Sequence, residues 1–156
     1  TKPKYQKLID TYFDQIAPQE ESLTALNTSY AREGAYIYIP KSVVAEKPIE
    51  IIHFASGDET ALWLQQRNLI VLDQNAQCQI IEKHQSLVDH PVVTNNVTEI
   101  FLHKDAFLDY YKLQNDLPTA SLIDNTYISQ EQNSHASVHT FSFGGKLVRN
   151  NLNFYH

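Results

Sequence analysis

The sequence predicts an all-β core folded as a parallel β-helix, on the strength of a repeat, its composition and its turns. Ala76, Ala106 and Ala136 lie thirty residues apart, and each opens a similar stretch of apolar and polar residues. A fixed period of about 20–50 residues is typical of a solenoid, in which each unit stacks on the next. The stretches are rich in β-branched and aromatic residues and are separated by short polar turns, which favours strands. The period suits a rung of two strands and two turns.

Two helices are predicted before the β-helix. Spacings of three and four place the apolar residues of 5–16 on one helical face, and Pro18 ends this helix. The second helix is predicted to begin at Ser22 and to run to residue 33, where Gly34 supplies a natural C-terminal cap. We expect the two helices to cap one end of the β-helix.

The chain is therefore divided into an N-terminal helical segment over residues 1–33 and a β-helix core over residues 34–156. The strands of the core are predicted from β-branched and aromatic runs bounded by polar turns. They cover residues 35–40, 48–54, 68–72, 78–81, 97–102, 106–113, 127–129, 137–143 and 146–155.

Polar segments between these strands are interpreted as turns and loops. Residues 55–66 are predicted to form a turn with an apolar patch around Trp63, and residues 84–96 and 114–121 are predicted to be loops. The apolar alternation changes parity after Ile80, which predicts a bend or bulge at that point of each rung.

The thirty-residue register predicts which side chains lie side by side on neighbouring rungs, about 4.8 Å apart. Opposite charges stacked in this way form stabilising surface ladders, and a functional Asp–His pair at Asp109 and His139 is the alternative. The predicted columns are Cys78–Leu108–Val138 and Ile81–Tyr111–Phe141, and the predicted pairs are Glu82–Lys112, Asp73–His103 and Asp109–His139.

The histidines do not predict a metal site. His135 and His139 would clamp an ion if they lay on a helix, but four residues of a strand span about 13 Å, too far for one ion. His53, His84 and His90 have no spaced partners and are interpreted as solvated or locally hydrogen-bonded.

The single cysteine, Cys78, lies in an apolar column and is interpreted as a buried, inert thiol. One cysteine allows no internal disulfide and no thiolate cage, which favours a reducing cytoplasm. We expect no catalytic residue, no cofactor-binding residue and no metal ligand in this chain.

Composition excludes several classes of protein. The net charge is −6 and the basic residues are scattered, which argues against a nucleic-acid binder. No apolar run approaches the roughly 18–20 residues that cross a bilayer, so no membrane partner is expected. The chain begins at Thr1 and contains no methionine, so we expect it to be part of a longer protein.

The sequence also lacks the common catalytic signatures. It contains no GxGxxG, no GxxxxGK[ST] and no GxSxG motif. Only 4 glycines are present, and the carboxylates are spread evenly along the chain. These features favour a protein that is not an enzyme.

Several segments in the right order resemble the SufB/SufD proteins of the SUF iron–sulfur cluster assembly system. The resemblance runs over about residues 22–156, and "YIPK" and "EKPIEI" are among its motifs. "EKPIEI" and the poverty in cysteine look more like SufD than SufB. The segments that carry it are residues 25–51, 67–84, 95–114 and 144–152.

The resemblance implies a right-handed parallel β-helix flanked by helical domains at both ends. It also implies a scaffold that pairs with a SufB-like subunit and a SufC-like ATPase, in a complex that handles iron–sulfur clusters and uses ATP through the ATPase. The family's interface histidine and ATPase-docking helices lie late in its sequence, so no site residue is transferred to this chain. The C-terminal helical domain is expected to be missing.

Two other functions stay open: a solenoid enzyme, such as an acyltransferase or a polysaccharide lyase, and a generic protein- or carbohydrate-binding solenoid. One further expectation concerns residues 146–156, which resemble the start of an uncompleted rung. An unpaired strand edge favours association, so we expect a frayed last rung or a homodimer formed through it.

Overall fold

The computed structural model describes residues 3–58 and 60–156, with side chains from Tyr5 onward. Positions 1 and 2 of the predicted helical segment and position 59 of the predicted turn lie outside the described residues. The elements of the described residues are two helices, α1 (Pro3–Tyr12) and α2 (Ser22–Tyr30), and nine strands, β1 (Tyr36–Ile39), β2 (Ile49–Ala55), β3 (Leu62–Leu72), β4 (Gln77–Ser86), β5 (Val92–Leu102), β6 (Phe107–Gln114), β7 (Ala120–Gln130), β8 (His135–Ser142) and β9 (Leu147–Tyr155).

The strands form two sheets in which every described pairing is parallel, so the predicted β-helix is confirmed. One sheet has the order β1-β3-β5-β7-β9 and the other has the order β2-β4-β6-β8. The chain alternates between the sheets, so each rung contains one strand of each. About four rungs are stacked in this way, with β9 on top as the first strand of another.

A stacked turn fixes the passage from the first sheet to the second in every rung. Ser42, Asn75, Asp105 and Asn133 each adopt a left-handed backbone, with φ of 57–58°. Asn and Asp tolerate this conformation better than other residues with a side chain. The turns also bond to one another, as when the Asn75 N–H donates to the Lys104 carbonyl at 3.1 Å. These four positions are the true markers of the repeat.

The rung period is not constant, and the predicted alanine column is therefore wrong. Gln77 pairs with Phe107, thirty residues on, whereas Phe107 pairs with His135, only twenty-eight residues on. Ala136 therefore lies beside Leu108 and not beside Ala106. The alanines still share the inward face, because a shift of two residues keeps the side-chain parity.

Because of this shift, every predicted contact between the stretch around Ala106 and the stretch around Ala136 is wrong by two residues. The chain is two residues shorter between β6 and β8 than between β4 and β6, and the similar residues around the alanines hid this. The pairs in the structure are Tyr110–Val138, Leu113–Phe141, Asp109–Ser137 and Tyr111–His139, while the predicted Cys78–Leu108, Ile81–Tyr111 and Glu82–Lys112 are confirmed. The predicted surface ladder is nevertheless wrong for Glu82 and Lys112, because both side chains are buried inside the β-helix.

The predicted bend near Ile80 is wrong as well, because the alternation of β4 never slips. Every second residue from Cys78 through Ile80 and Glu82 to Ser86 is buried, in one unbroken pattern. What changes along the strand is the chemistry of the buried residue, which turns from apolar to polar after Ile80. The sequence pattern made this look like a change of face.

The predicted loop over 84–96 and the predicted turn over 55–66 are strand over about half or more of their length, whereas residues 115–119 of the predicted loop over 114–121 lie outside the strands, as predicted. β3 begins at Leu62, β4 continues to Ser86, β5 begins at Val92 and β7 begins at Ala120. Polar residues suggested loops here, but Asn96 is fully buried and donates hydrogen bonds inside the β-helix. Burial of a polar group costs little when the group is hydrogen-bonded, so the polarity of these residues did not distinguish loops from buried strands.

The helices cover the outer face of the first sheet and do not cap its end. α1 stops at Tyr12, short of the predicted residue 16, and Asp14 has a left-handed φ of 62°. α2 ends at Tyr30, so Gly34 is not its cap. A Cβ on Gly34 would lie 1.7 Å from the Arg67 carbonyl oxygen, so this glycine permits close backbone packing against β3.

Two buried side chains fasten the N-terminal segment to the sheet. The Asn27 amide donates to the carbonyls of Gln66 and Asn95, both at 2.8 Å. The Glu99 carboxylate accepts the Arg67 guanidinium at 2.8 Å. The same carboxylate also accepts four consecutive backbone N–H groups, those of Asp14, Gln15, Ile16 and Ala17, at 2.8–3.3 Å.

None of the helices in the described part of the chain is long and apolar enough to span a membrane.

Candidate functional site

The interior of the β-helix has an apolar half and a polar half. The apolar half lies next to the stacked turns and is filled by residues such as Ile70, Ile100 and Leu108. The polar half follows along the same inward faces. It is lined by Asn68, Glu82, His84, Asn96, Thr98, Tyr110, Lys112, Asp124 and Thr126, all buried, and we call these nine residues the polar interior.

Glu82 is the centre of the polar interior. Its Oε1 atom accepts hydrogen bonds from the Asn68 amide at 2.8 Å and from the His53 ring at 2.9 Å. Its Oε2 atom accepts the hydroxyl of Tyr110. The carboxylate therefore has a partner from β2, β3 and β6, which fixes its orientation.

His53 and His84 are stacked beside this carboxylate. They are paired residues of β2 and β4, and their rings lie 4.6 Å apart at 17°. The His84 Nε2 atom lies 3.6 Å from the Glu82 Oε1 atom, which is an ionic contact but is longer than a hydrogen bond. His84 Nε2 makes no hydrogen bond among the described residues.

The protonation of this cluster follows from its contacts. Burial alone would raise the pKa of Glu82, but the His53 hydrogen bond and the adjacent His84 and Lys112 hold that pKa well below its usual value. Burial alone would lower the pKa of His84, and contact with Glu82 raises it. Burial raises the pKa of Tyr110 well above its usual value. Glu82 is therefore an anion, and the Tyr110 hydroxyl keeps its proton and donates a hydrogen bond to it.

A second carboxyl group of the polar interior is paired with a lysine. The Lys112 Nζ atom lies 2.6 Å from the Asp124 Oδ2 atom and donates to the Thr126 hydroxyl at 2.6 Å. The Asn96 amide donates to the other Asp124 oxygen at 3.1 Å. The polar interior thus holds two carboxyl groups against one ammonium group.

A small cavity adjoins the two histidines. It has a volume of about 10 Å³ and is lined by His53, His84, Gln66 and Thr94, among others. This is about the space that one water molecule needs. The Gln66 Oε1 atom is buried there and, like the Nε2 atom of His84, has no hydrogen-bond partner among the described residues.

The structure brings together histidines that the sequence analysis had separated. His53 and His84 were interpreted as isolated, but they lie thirty-one residues apart, which is the spacing of β2 and β4. That near-match to the repeat was the available signal. His90 instead contacts the Gly57 carbonyl at 3.2 Å.

The other sequence-predicted residues lie apart from this cluster. His135 and His139 are on a strand, as expected, and stack on Phe107 and Tyr111. His103 bonds to Glu131 of the next rung and not to Asp73, which accepts the Tyr38 hydroxyl. Asp109 and His139 are not neighbours, so the alternative of a functional pair is wrong. Cys78 is buried in the apolar half, as predicted.

A second feature is the open edge of the last rung, formed by β8 and β9, which are the end strands of their sheets. The side chains of Leu152 and Phe154 point inward, since they pair with Thr126 and Ile128 of β7. Their exposed fractions are nevertheless 41% and 43%, because no described residue covers this end. Among the described strands, β8 and β9 therefore have a neighbour on one side only.

Comparison with known families gives two matches that together span nearly the whole chain. Residues 53–156 match the model described as "SUF system FeS cluster assembly, SufBD core domain". Residues 1–51 match the model described as "SufBD protein N-terminal region".

Similar proteins have names that agree with these matches. A SufBD family protein from Synechocystis is 28% identical over 90% of this chain and 33% of its own length. SufD from Bacillus subtilis is 28% identical over 72% of this chain and 26% of its own length. A SufBD family protein from Staphylococcus haemolyticus is 28% identical over 70% and 24% respectively. The chain spans about a third or less of the relatives it matches.

Proposed function

The chain belongs to the SufBD family of the SUF iron–sulfur cluster assembly system, and on this premise we propose that it acts as a non-catalytic, SufD-like scaffold. Its partners in this proposal are a SufB-like subunit and a SufC-like ATPase. The clusters and the ATP are handled by the assembled complex, in the cytoplasm.

The match of residues 53–156 to the SufBD core domain is the observation that carries this proposal. The described part of that domain is a parallel β-helix whose last described strands are β8 and β9. A related β-helix could join such sheets through strand edges, which are surfaces to which another strand adds. Variants in β9 therefore test the pairing.

The contacts of the buried ionisable groups support a scaffold role. Glu82, Lys112 and Asp124 are buried and form hydrogen bonds or ion pairs with other residues inside the β-helix. They do not line an open cleft. The similarity to a protein named SufD supports the SufD-like assignment.

Co-purification tests this proposal. The chain, without an affinity tag, is expressed with a tagged SufB-like subunit and a SufC-like ATPase from the same organism. We expect it to be retained with them. Leu152→Lys combined with Leu147→Lys should weaken retention about tenfold or more, which corresponds to about 1.4 kcal/mol.

Leu87→Lys is the control, because Leu87 is about as exposed as Leu147, at 56% against 54%, but lies in the loop before β5. It should leave retention unchanged. A solenoid enzyme or a generic binding solenoid predicts no retention at all, and that result would overturn the proposal. Light scattering of the chain alone over a concentration series tests the homodimer, which the same two lysines should abolish.

A further inference from the structure

We infer that His53, Glu82 and His84 form a binding site for one divalent transition-metal ion at the edge of the polar interior. One ligand atom from each of the three residues lies within 4.8 Å of the other two. This inference is independent of the proposed function, because it rests on side-chain geometry and charge, and either can fail without the other.

The distances suit an ion with a modest adjustment. Ligand atoms about 2.0–2.2 Å from a tetrahedral ion lie roughly 3.3 Å from one another. The Glu82 Oε1 atom is 2.9 Å from His53 Nε2 and 3.6 Å from His84 Nε2. Because the rings are stacked nearly parallel, binding requires them to turn so that both nitrogens face the same ion.

Two buried polar atoms without a hydrogen-bond partner point to a ligand at this place. His84 is only 6% exposed, and its Nε2 atom has no hydrogen bond among the described residues. The Gln66 Oε1 atom, also without a partner, lines the same cavity of about 10 Å³. An ion on His84 with one bound water molecule would satisfy both atoms, because the water would donate to Gln66.

Charge favours a cation at this place. The polar interior contains the carboxyl groups of Glu82 and Asp124 and one ammonium group, that of Lys112. A buried anion that is not compensated is costly. A bound divalent ion supplies positive charge beside Glu82.

The surroundings hold the carboxylate in place for binding. The Asn68 amide and the Tyr110 hydroxyl both donate to Glu82. Such outer hydrogen bonds orient metal ligands and raise affinity. His53 lies at the rim, with a side chain that is 10% exposed, so an ion can approach from solvent.

The donor set identifies the class of ion. Two imidazoles and one carboxylate suit Fe²⁺, Co²⁺, Ni²⁺, Cu²⁺ and Zn²⁺, whereas Mg²⁺ and Ca²⁺ prefer oxygen ligands. Two histidines and one carboxylate with open positions are the ligand set of many ferrous sites. We therefore expect binding of Co²⁺ and Zn²⁺ as probes and little binding of Mg²⁺.

The test measures Co²⁺ binding to the untagged, chelator-treated chain by visible absorption, followed by displacement with Zn²⁺. We expect one equivalent of Co²⁺ to bind. His53→Gln and His84→Gln should each weaken Co²⁺ binding at least roughly 10–100-fold, which is the loss of affinity when a residue that hydrogen-bonds to a metal ligand is removed. Zn²⁺ should also raise the thermal midpoint of the unchanged chain and not that of the variants.

His139→Gln is the matched control. His139 stacks on Tyr111 with rings 4.8 Å apart at 17°, which closely matches the stacking of His53 on His84. This variant should bind Co²⁺ as the unchanged chain does. If His84→Gln does not fold, Co²⁺ binding by His53→Gln, whose changed residue lies at the rim, provides the test. An anomalous difference map of Co²⁺-soaked crystals of the unchanged chain requires no variant.

Absence of stoichiometric binding would overturn the inference and leave a hydrogen-bonded histidine–carboxylate cluster. Equal binding by the unchanged chain and His53→Gln would also overturn it, as would an anomalous peak elsewhere.

Discussion

Lys112 of β6 and Asp124 of β7 form an ion pair across the interior of the β-helix, with the Nζ atom 2.6 Å from the Oδ2 atom. Both side chains are almost completely buried, and the pair joins the two sheets. Removing one partner of such a pair leaves a buried charge without compensation.

Lys112→Met should therefore lower the free energy of unfolding by about 3–5 kcal/mol, measured by urea denaturation. Replacing both residues, as in Lys112→Met with Asp124→Leu, should recover most of that loss, because apolar residues of similar volume replace a buried pair at little cost. A single variant that loses less than about 1 kcal/mol would show that water reaches this part of the interior.

Glu99 is expected to control the attachment of the N-terminal segment. Glu99→Gln removes the charge that accepts four backbone N–H groups and the Arg67 guanidinium. We expect a loss of about 3 kcal/mol and faster proteolysis around residues 13–17, detected by mass spectrometry. Glu131→Gln, at a carboxylate that is 54% exposed, is the control and should change stability by less than about 1 kcal/mol. Equal effects of the two variants would contradict this assignment.

The left-handed turn residues should respond to substitution as a set. Asn75→Ala and Asn133→Ala should each cost about 1 kcal/mol of unfolding free energy, since alanine is strained at a φ of 57–58°. Asn75→Gly and Asn133→Gly should cost much less, because glycine adopts that φ freely. If alanine and glycine behave alike at both positions, these residues do not set the repeat.

Cys78 should be unreactive while the chain is folded. Burial raises its pKa from 9.0 to about 12, so the folded state favours the neutral thiol. The thiol's contribution to stability is fully present below about pH 9 and is lost as the pH rises toward 12. We expect slow alkylation by iodoacetamide at pH 8 that accelerates on addition of urea. Alkylation at the same rate with and without urea would contradict the burial of this thiol.

The sequence predicted the β-helix well because its main determinant is local. Apolar and β-branched runs at a near-constant spacing require stacked strands, and no predicted strand extends more than one residue beyond a strand of the structure. The predicted register failed between β6 and β8, because the shorter third rung can be recognised only from the spacing of the turn residues Asp105 and Asn133. The alignment on the three alanines did not use these residues.

The candidate site could not be predicted from the sequence for a related reason. Glu82 and His84 alternate correctly on the inward face of β4, but a polar residue on such a face suggests a surface or a loop. Their burial depends on Asn68, Tyr110 and His53, which arrive from three other strands. Only the register between rungs brings these residues together, and the spacing of β2 and β4 is not that of the later rungs.

We propose that the chain works by pairing its β-helix with a related subunit. Hydrogen exchange of the β9 amides, with and without the SufB-like subunit, tests this proposal most directly. We predict that amides within residues 147–155 exchange more slowly in the complex, while those of the loop over residues 87–91 do not change. A complex that forms while β9 exchanges at its original rate would contradict the claim.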